Sequence, residues 1–112
     1  MARFNYVELP TRDIAMAKRF YAEAFGFAIT DFGPAYAATT TGDTDIGFNA
    51  TGEHVTANLL PVIEVENLEA AREAVVSAGG TISLDIFAFP GGHRFHFIDL
   101  EGHELAAVKS GA

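Results

Sequence analysis

The stretch from residue 6 to 26 is echoed by the stretch from 60 to 80, 54 positions later in a chain of 112, and a half-length echo restricts the fold more than any single residue does. In each copy an extended apolar run meets a helix-capping residue, a short helix follows, and glycine ends it. Asp13 pairs with Asn67 as the cap, Ile14 with Leu68, Ala17 with Ala71, Lys18 with Arg72, Ala24 with Ala78 and Gly26 with Gly80. Two copies are too few for a solenoid, so the expectation is one domain with internal two-fold pseudosymmetry.

Residues 3–10 alternate as a strand should, with Phe4, Tyr6 and Glu8 on one face and Asn5, Val7 and Leu9 on the other. Pro10 closes the strand. Asp13 caps a helix whose Ala17, Phe20, Tyr21, Ala24 and Phe25 form one apolar stripe. Short strands are expected near 27–32, 35–41 and 45–50, divided by the turn signals Gly33-Pro34 and Gly42-Asp43. Residues 51–57 are polar enough to connect the halves. The second copy then has a strand at 58–66 and a helix capped by Asn67 that buries Leu68, Ala71, Val75 and Ala78. After Gly79-Gly80 come a strand near 81–85, a loop from Phe87 to Gly92, a strand from Arg94 to Asp99, the turn Asp99-Leu100-Glu101-Gly102 and a last strand from His103 to Lys109. Each copy reads βαβββ: module 1 at about 3–50 and module 2 at about 58–109, in a single domain spanning 1–112.

Fifteen acidic against seven basic residues give a formal charge of −8, which argues against a nucleic-acid partner, because neutralising phosphates needs clustered Lys and Arg. The lack of cysteine removes disulfides, thiolate metal sites and a thiol nucleophile, and suits a reducing cytoplasm. The opening Met-Ala-Arg-Phe-Asn-Tyr has no secretory pattern, and no apolar stretch approaches the roughly 20 residues a spanning helix needs. A cytoplasmic chain with no membrane partner is the expectation. Ten Phe and no Trp point to a core built on Phe, Val, Ile, Leu and Ala.

Tandem βαβββ units, Leu-Pro-Thr-Arg-Asp before a helix containing Phe20-Tyr21, then Phe25-Gly26-Phe27, and finally Asp99-Leu100-Glu101-Gly102 together resemble the vicinal oxygen chelate superfamily. That group includes glyoxalase I, bleomycin-resistance proteins, fosfomycin-modifying enzymes and extradiol dioxygenases. The loop Phe89-Pro90-Gly91-Gly92 is similar to the small glyoxalase-related members. The resemblance implies an α+β fold in which the two modules form a curved eight-stranded cup with the helices outside, and usually a homodimer. In enzymatic members it further implies a divalent metal, held by His, Gln or Glu from the first and last strand of each module and acting as Lewis acid.

Carried onto this sequence, those four ligand positions fall on Tyr6, Leu60, Ala106 and one of Ile46, Phe48 or Ala50. Such a set is a poor match for Mg, Mn, Zn or ferrous iron, so no metal and no other cofactor is expected. His54 lies in the connector, His93 and His96 leave opposite faces of one strand, and His103 supports the last turn. The inward stripe offers Tyr6, Glu8, Phe48, Leu60, Glu104 and Ala106 as ligand contacts, joined by His96 where its parity with Arg94 turns it into the cup and not out to solvent: an apolar lining with a few polar groups, as small-molecule pockets have. Glu8 stands out, because a carboxylate on an apolar stripe is costly unless a donor or ligand satisfies it. The expectation is a metal-independent small-molecule binding protein. The alternative is a lyase or isomerase of the glyoxalase-related kind, with Glu8 and either Tyr6 or His96 moving a proton on a small carbonyl substrate.

Overall fold

A computed structural model describes residues 2–111. Along them run β1 (Arg3–Pro10), α1 (Ile14–Phe25), β2 (Thr30–Asp31), β3 (Tyr36–Ala38), β4 (Asp45–Asn49), β5 (Leu60–Glu64), α2 (Leu68–Ser77), β6 (Thr81–Phe89), β7 (Gly92–Ile98) and β8 (Glu104–Ser110). The fold is α+β, and βαβββ occurs twice. Residues 6–60 form one compact unit, and residues 61–111 with 2–5 form a second.

In the first unit the strand order is β2-β3-β4-β1, with β1 parallel to β4 and the other pairs antiparallel. A parallel pair needs a crossover, and α1 with β2 and β3 supplies it. Asp13 starts the helix as expected, its carboxylate accepting from the Met16 N–H at 3.0 Å, and Gly26 ends it in the left-handed conformation at φ 74°. Tyr21 seats α1 on the sheet through the Phe48 ring, 5.3 Å between centroids. The strand expected near 27–32 shrinks to two residues. Phe27 instead stacks on Tyr21 at 6.2 Å, which draws the chain after Gly26 to the helix and off the sheet.

The second unit has the order β5-β8-β7-β6, again with one parallel pair, β5 with β8. Asn67 caps α2 on the Ala70 N–H at 3.0 Å. Leu68, Phe95 and Ala107 are the buried centre, with Val65, Ala71, Val75, Ile82, Ile86 and Phe97 packed round them. β6 runs on to Phe89, so the expected loop from Phe87 to Gly92 is mostly strand. Two register shifts against β7 let it continue, and they set Phe87 opposite Arg94. Gly92 must be glycine: its φ is 153°, and a Cβ there would strike the Lys109 carbonyl.

Each unit has one sheet face under its helix and one without. In the first, register places Leu9 with Phe48 on the helix side, and Glu8 with Gly47 on the other, where Asn49 and its partner Tyr36 also lie. In the second, Phe95 and Ala107 face α2, while Arg94, His96, Ala106 and Val108 lie opposite.

Candidate functional site

Glu8 is only 2% exposed, and the first unit is arranged to hold it. Tyr36 on β3 donates its hydroxyl to Glu8 Oε1 at 2.9 Å, and Asn49 on β4 donates Nδ2 to Oε2 at 3.3 Å. Tyr6 and Tyr36 hydroxyls are 2.6 Å apart. A phenol has one proton to give. Since Tyr36 gives its proton to Glu8, Tyr6 donates to Tyr36, and the chain of bonds runs Tyr6 to Tyr36 to Glu8. Asn49 is itself oriented: its Oδ1 accepts from the Thr51 N–H at 3.0 Å and the Thr51 hydroxyl at 2.7 Å. Burial, then the adjacent Glu8 charge and the Tyr6 hydroxyl, push the Tyr36 phenol far above its ordinary range, so it is a neutral donor at any working pH.

Gly47 explains how two phenols fit beside one carboxylate. It lies opposite Glu8 in the parallel β1–β4 ladder, and a Cβ on it would collide with the hydroxyls of Tyr6 and Tyr36. The tyrosine pair fills the space that a side chain at 47 would take.

Register also settles the fourth ligand position of the family pattern. In the second unit Ala106 lies opposite Val62, the echo of Glu8, and the residue opposite Glu8 is Gly47. The expectation of Ile46, Phe48 or Ala50 was off by one residue. Val7 pairs with Ile46 and Leu9 with Phe48, and this set faces α1. Phe48, expected among the ligand contacts, is therefore a core residue against Tyr21 and lies on the face opposite Glu8. The family positions read Tyr6, Gly47, Leu60 and Ala106. One phenol, already bonded to a second, with no imidazole or carboxylate at the other three, does not fit a divalent cation held in the family manner. No group of three His, Cys, Asp or Glu able to hold a metal occurs among the described residues.

In the second unit His96 turns to the helix-free face and is 1% exposed, which resolves its orientation. Its Nδ1 lies 3.4 Å from Glu104 Oε2, which also accepts the Ser83 hydroxyl at 3.0 Å. Arg94 lies two residues away on the same face, its guanidinium over the rings of Phe87 at 5.3 Å and Phe89 at 5.5 Å. Ala106 is the cross-strand partner of His96, and Leu60 is fully buried at the start of β5. His93 and His54 are exposed. His103 is a turn residue: its N–H and that of Glu101 each donate to Asp99 Oδ1 at 2.9 Å, and its Nδ1 lies 3.1 Å from Oδ2. Backbone donation from His103 leads in holding Asp99 below the usual carboxylate range. An open groove of about 300 Å³ beside the start of α2, lined by Glu66, Asn67, Glu69, His93 and Lys109 among others, shares no residue with the expected ligand contacts.

The sequence reading missed Tyr36 and Asn49. Neither belongs to the echo or to a family motif. The one available signal was alternation in the expected strand at 35–41, which puts a phenol and Ala38 on the same face.

Two parallel-paired βαβββ units, each with a polar cluster on the sheet face that its helix leaves open, define the class of fold. Residues 3–107 match the Glyoxalase/Bleomycin resistance protein/Dioxygenase superfamily, and the chain belongs to it. No curated protein matches the chain in sequence. Among solved structures, a hypothetical protein from Bacillus halodurans superposes with a TM-score of 0.82 at 11% identity, over 99% of this chain and 96% of that one. An NAD-dependent benzaldehyde dehydrogenase from Legionella pneumophila gives 0.78 at 15%, over 96% and 99%. Methylmalonyl-CoA epimerase from Mycobacterium tuberculosis gives 0.75 at 12%, over 97% and 88%. At these identities the likeness is one of fold.

Proposed function

We propose that this chain is a small-molecule binding protein that recognises its ligand by hydrogen bonding at Tyr6, Tyr36 and Glu8, without a chelated cation. The observation that carries this reading is the tyrosine pair over Gly47: where the family pattern calls for a metal ligand, two phenols are bonded to each other and to a buried carboxylate. A pre-oriented polar cluster on the sheet face that α1 leaves open is what a ligand-orienting site requires. Within the second module the reading assigns ligand contact to His96 and Glu104, with Leu60 and Ala106 as apolar lining. It takes the protein to be a cytoplasmic homodimer with no nucleic-acid or membrane partner. No helix of the described residues is long and apolar enough to cross a membrane.

A second reading, proton transfer on a small carbonyl compound as in a lyase or isomerase, is favoured by the same relay. Glu8 would take the proton, and Tyr36, which stays protonated, would keep a donor on the carboxylate throughout.

Elemental analysis of protein purified without chelator, joined to a thermal-shift screen of aromatic amines and small carbonyl compounds with and without EDTA, tests the proposal. A hit should survive EDTA and be lost in Glu8→Gln. Stoichiometric Ni, Zn, Mn or Fe, or stabilisation that EDTA abolishes, would refute it. Deuterium uptake from solvent into a carbonyl hit, absent in Glu8→Gln, would select the second reading.

A further inference from the structure

Helix α1 spans twelve residues and buries none of them fully. Tyr21 faces the sheet through Phe48, while Met16 and Phe20 are 56% and 57% exposed. Together with Arg19 and Glu23 they occupy positions i, i+3, i+4 and i+7, the spacing by which one helix seats against another. An exposed apolar strip on a helix marks an interaction surface.

Charge says what covers it. Residues 12–31 hold Arg12, Lys18 and Arg19 against Asp13, Glu23 and Asp31, so this segment is neutral and the whole net charge of −8 lies elsewhere on the chain. Two copies repel at most approaches and are spared that repulsion here. Lys18 is engaged sideways, 2.8 Å from Asp31, which leaves Arg19 and Glu23 as the charges beside the apolar strip. Their own contact is long, 4.0 Å, with both side chains about 70% exposed (69% and 73%), and so holds neither in place. Antiparallel apposition of two α1 helices about a two-fold axis at the level of position 21, midway between the two charges, sets Arg19 of each copy against Glu23 of the other. A strip that carries both members of a pair, one turn apart, is complementary to itself, which is the requirement of an isologous contact. A basic or acidic partner protein would meet no excess of opposite charge on this strip.

We infer that the outer face of α1, Met16, Arg19, Phe20 and Glu23, is the contact through which two copies of this chain associate. The inference rests on the homodimer of the preceding section and adds the face. Sedimentation velocity on the full chain, from about 2 to about 200 µM, tests it. The wild type should dimerise. Phe20→Glu should be monomeric with an unchanged circular dichroism spectrum, since the ring is largely in solvent. Arg19→Glu alone should weaken the dimer by roughly tenfold or more, and the exchange Arg19→Glu with Glu23→Arg should restore it, a rescue that a merely structural role would not produce. A monomeric wild type would overturn both the homodimer and this face. A dimer indifferent to Phe20→Glu, or a charge exchange without rescue, would overturn the face and leave the homodimer standing.

Discussion

Replacing Gly47 by Ala adds one methyl group and should disable the polar cluster of the first unit. The backbone at 47 suits an L residue, so the effect comes from the space above it. That space holds the Tyr6 and Tyr36 hydroxyls, and the Tyr6 ring carbon beside its oxygen is 2.6 Å from the added Cβ. Tyr36 cannot move away while it remains on Glu8 at 2.9 Å, and Tyr6 cannot without giving up its bond to Tyr36 at 2.6 Å. Overpacking a filled site costs about 1–3 kcal/mol. Losing one hydrogen bond to a buried carboxylate costs about 1.5–3 kcal/mol more. Because relief of the first is gained by accepting the second, the expected total is about 2–4 kcal/mol, a fall in Tm of roughly 10–20 °C for a chain of this size. Urea unfolding of Gly47→Ala, Tyr6→Ala and the double variant measures it. Removing the Tyr6 ring takes away two of the three closest contacts and leaves only the Tyr36 hydroxyl to shift into the vacated space, so the double variant should be more stable than the sum of the single changes by more than about 1 kcal/mol. A Gly47→Ala protein within about 0.5 kcal/mol of wild type would show that the phenols do not fill this space, and the account of the site would fail.

Tyr36 ionises far above its ordinary range in the folded chain, so the stability it contributes is complete below about pH 10 and lost as pH rises beyond that. Absorbance at 295 nm should therefore show Tyr36 ionising only as the chain unfolds, and Tyr36→Phe should remove that contribution from the step. At the acid end, burial raises Asp45 but hydrogen bonds from Thr39, Thr41 and Gly42 outweigh it and hold it low. The Arg72 guanidinium, aided by the Ile86 N–H, holds Asp85 low. Asp99 is lowered chiefly by the His103 N–H, as described above. A depressed carboxylate stabilises above its unfolded value of about 4 and ceases to as pH falls through its folded value. The urea midpoint should thus be flat on this account down to about pH 5 and drop below about pH 4, less steeply in Asp45→Asn. An acid limb unchanged by that substitution would count against the Thr39–Asp45 turn.

Much of this protein is legible from local pattern. The caps at Asp13 and Asn67, the glycine stop at Gly26, the α+β class and the repeated βαβββ order follow from which conformations single residues allow and from how apolar positions recur. Alternation in β1 also singled out Glu8 and Tyr6 as neighbours on one face, whereas the direction of His96 was open in the sequence and only the packing of α2 on Phe95 turned it to the other face. Tertiary structure decided what sequence alternation leaves open, because a strand pattern read in isolation has no absolute phase against its partner. Sliding β4 by one residue on β1 sends Phe48 to the helix and puts Gly47 opposite Glu8. It also took the pairing of β1, β3 and β4 to bring Tyr36 and Asn49, 28 and 41 positions away, onto the Glu8 carboxylate. A buried charge recruits whichever donors the fold carries to it, and no local rule names them in advance.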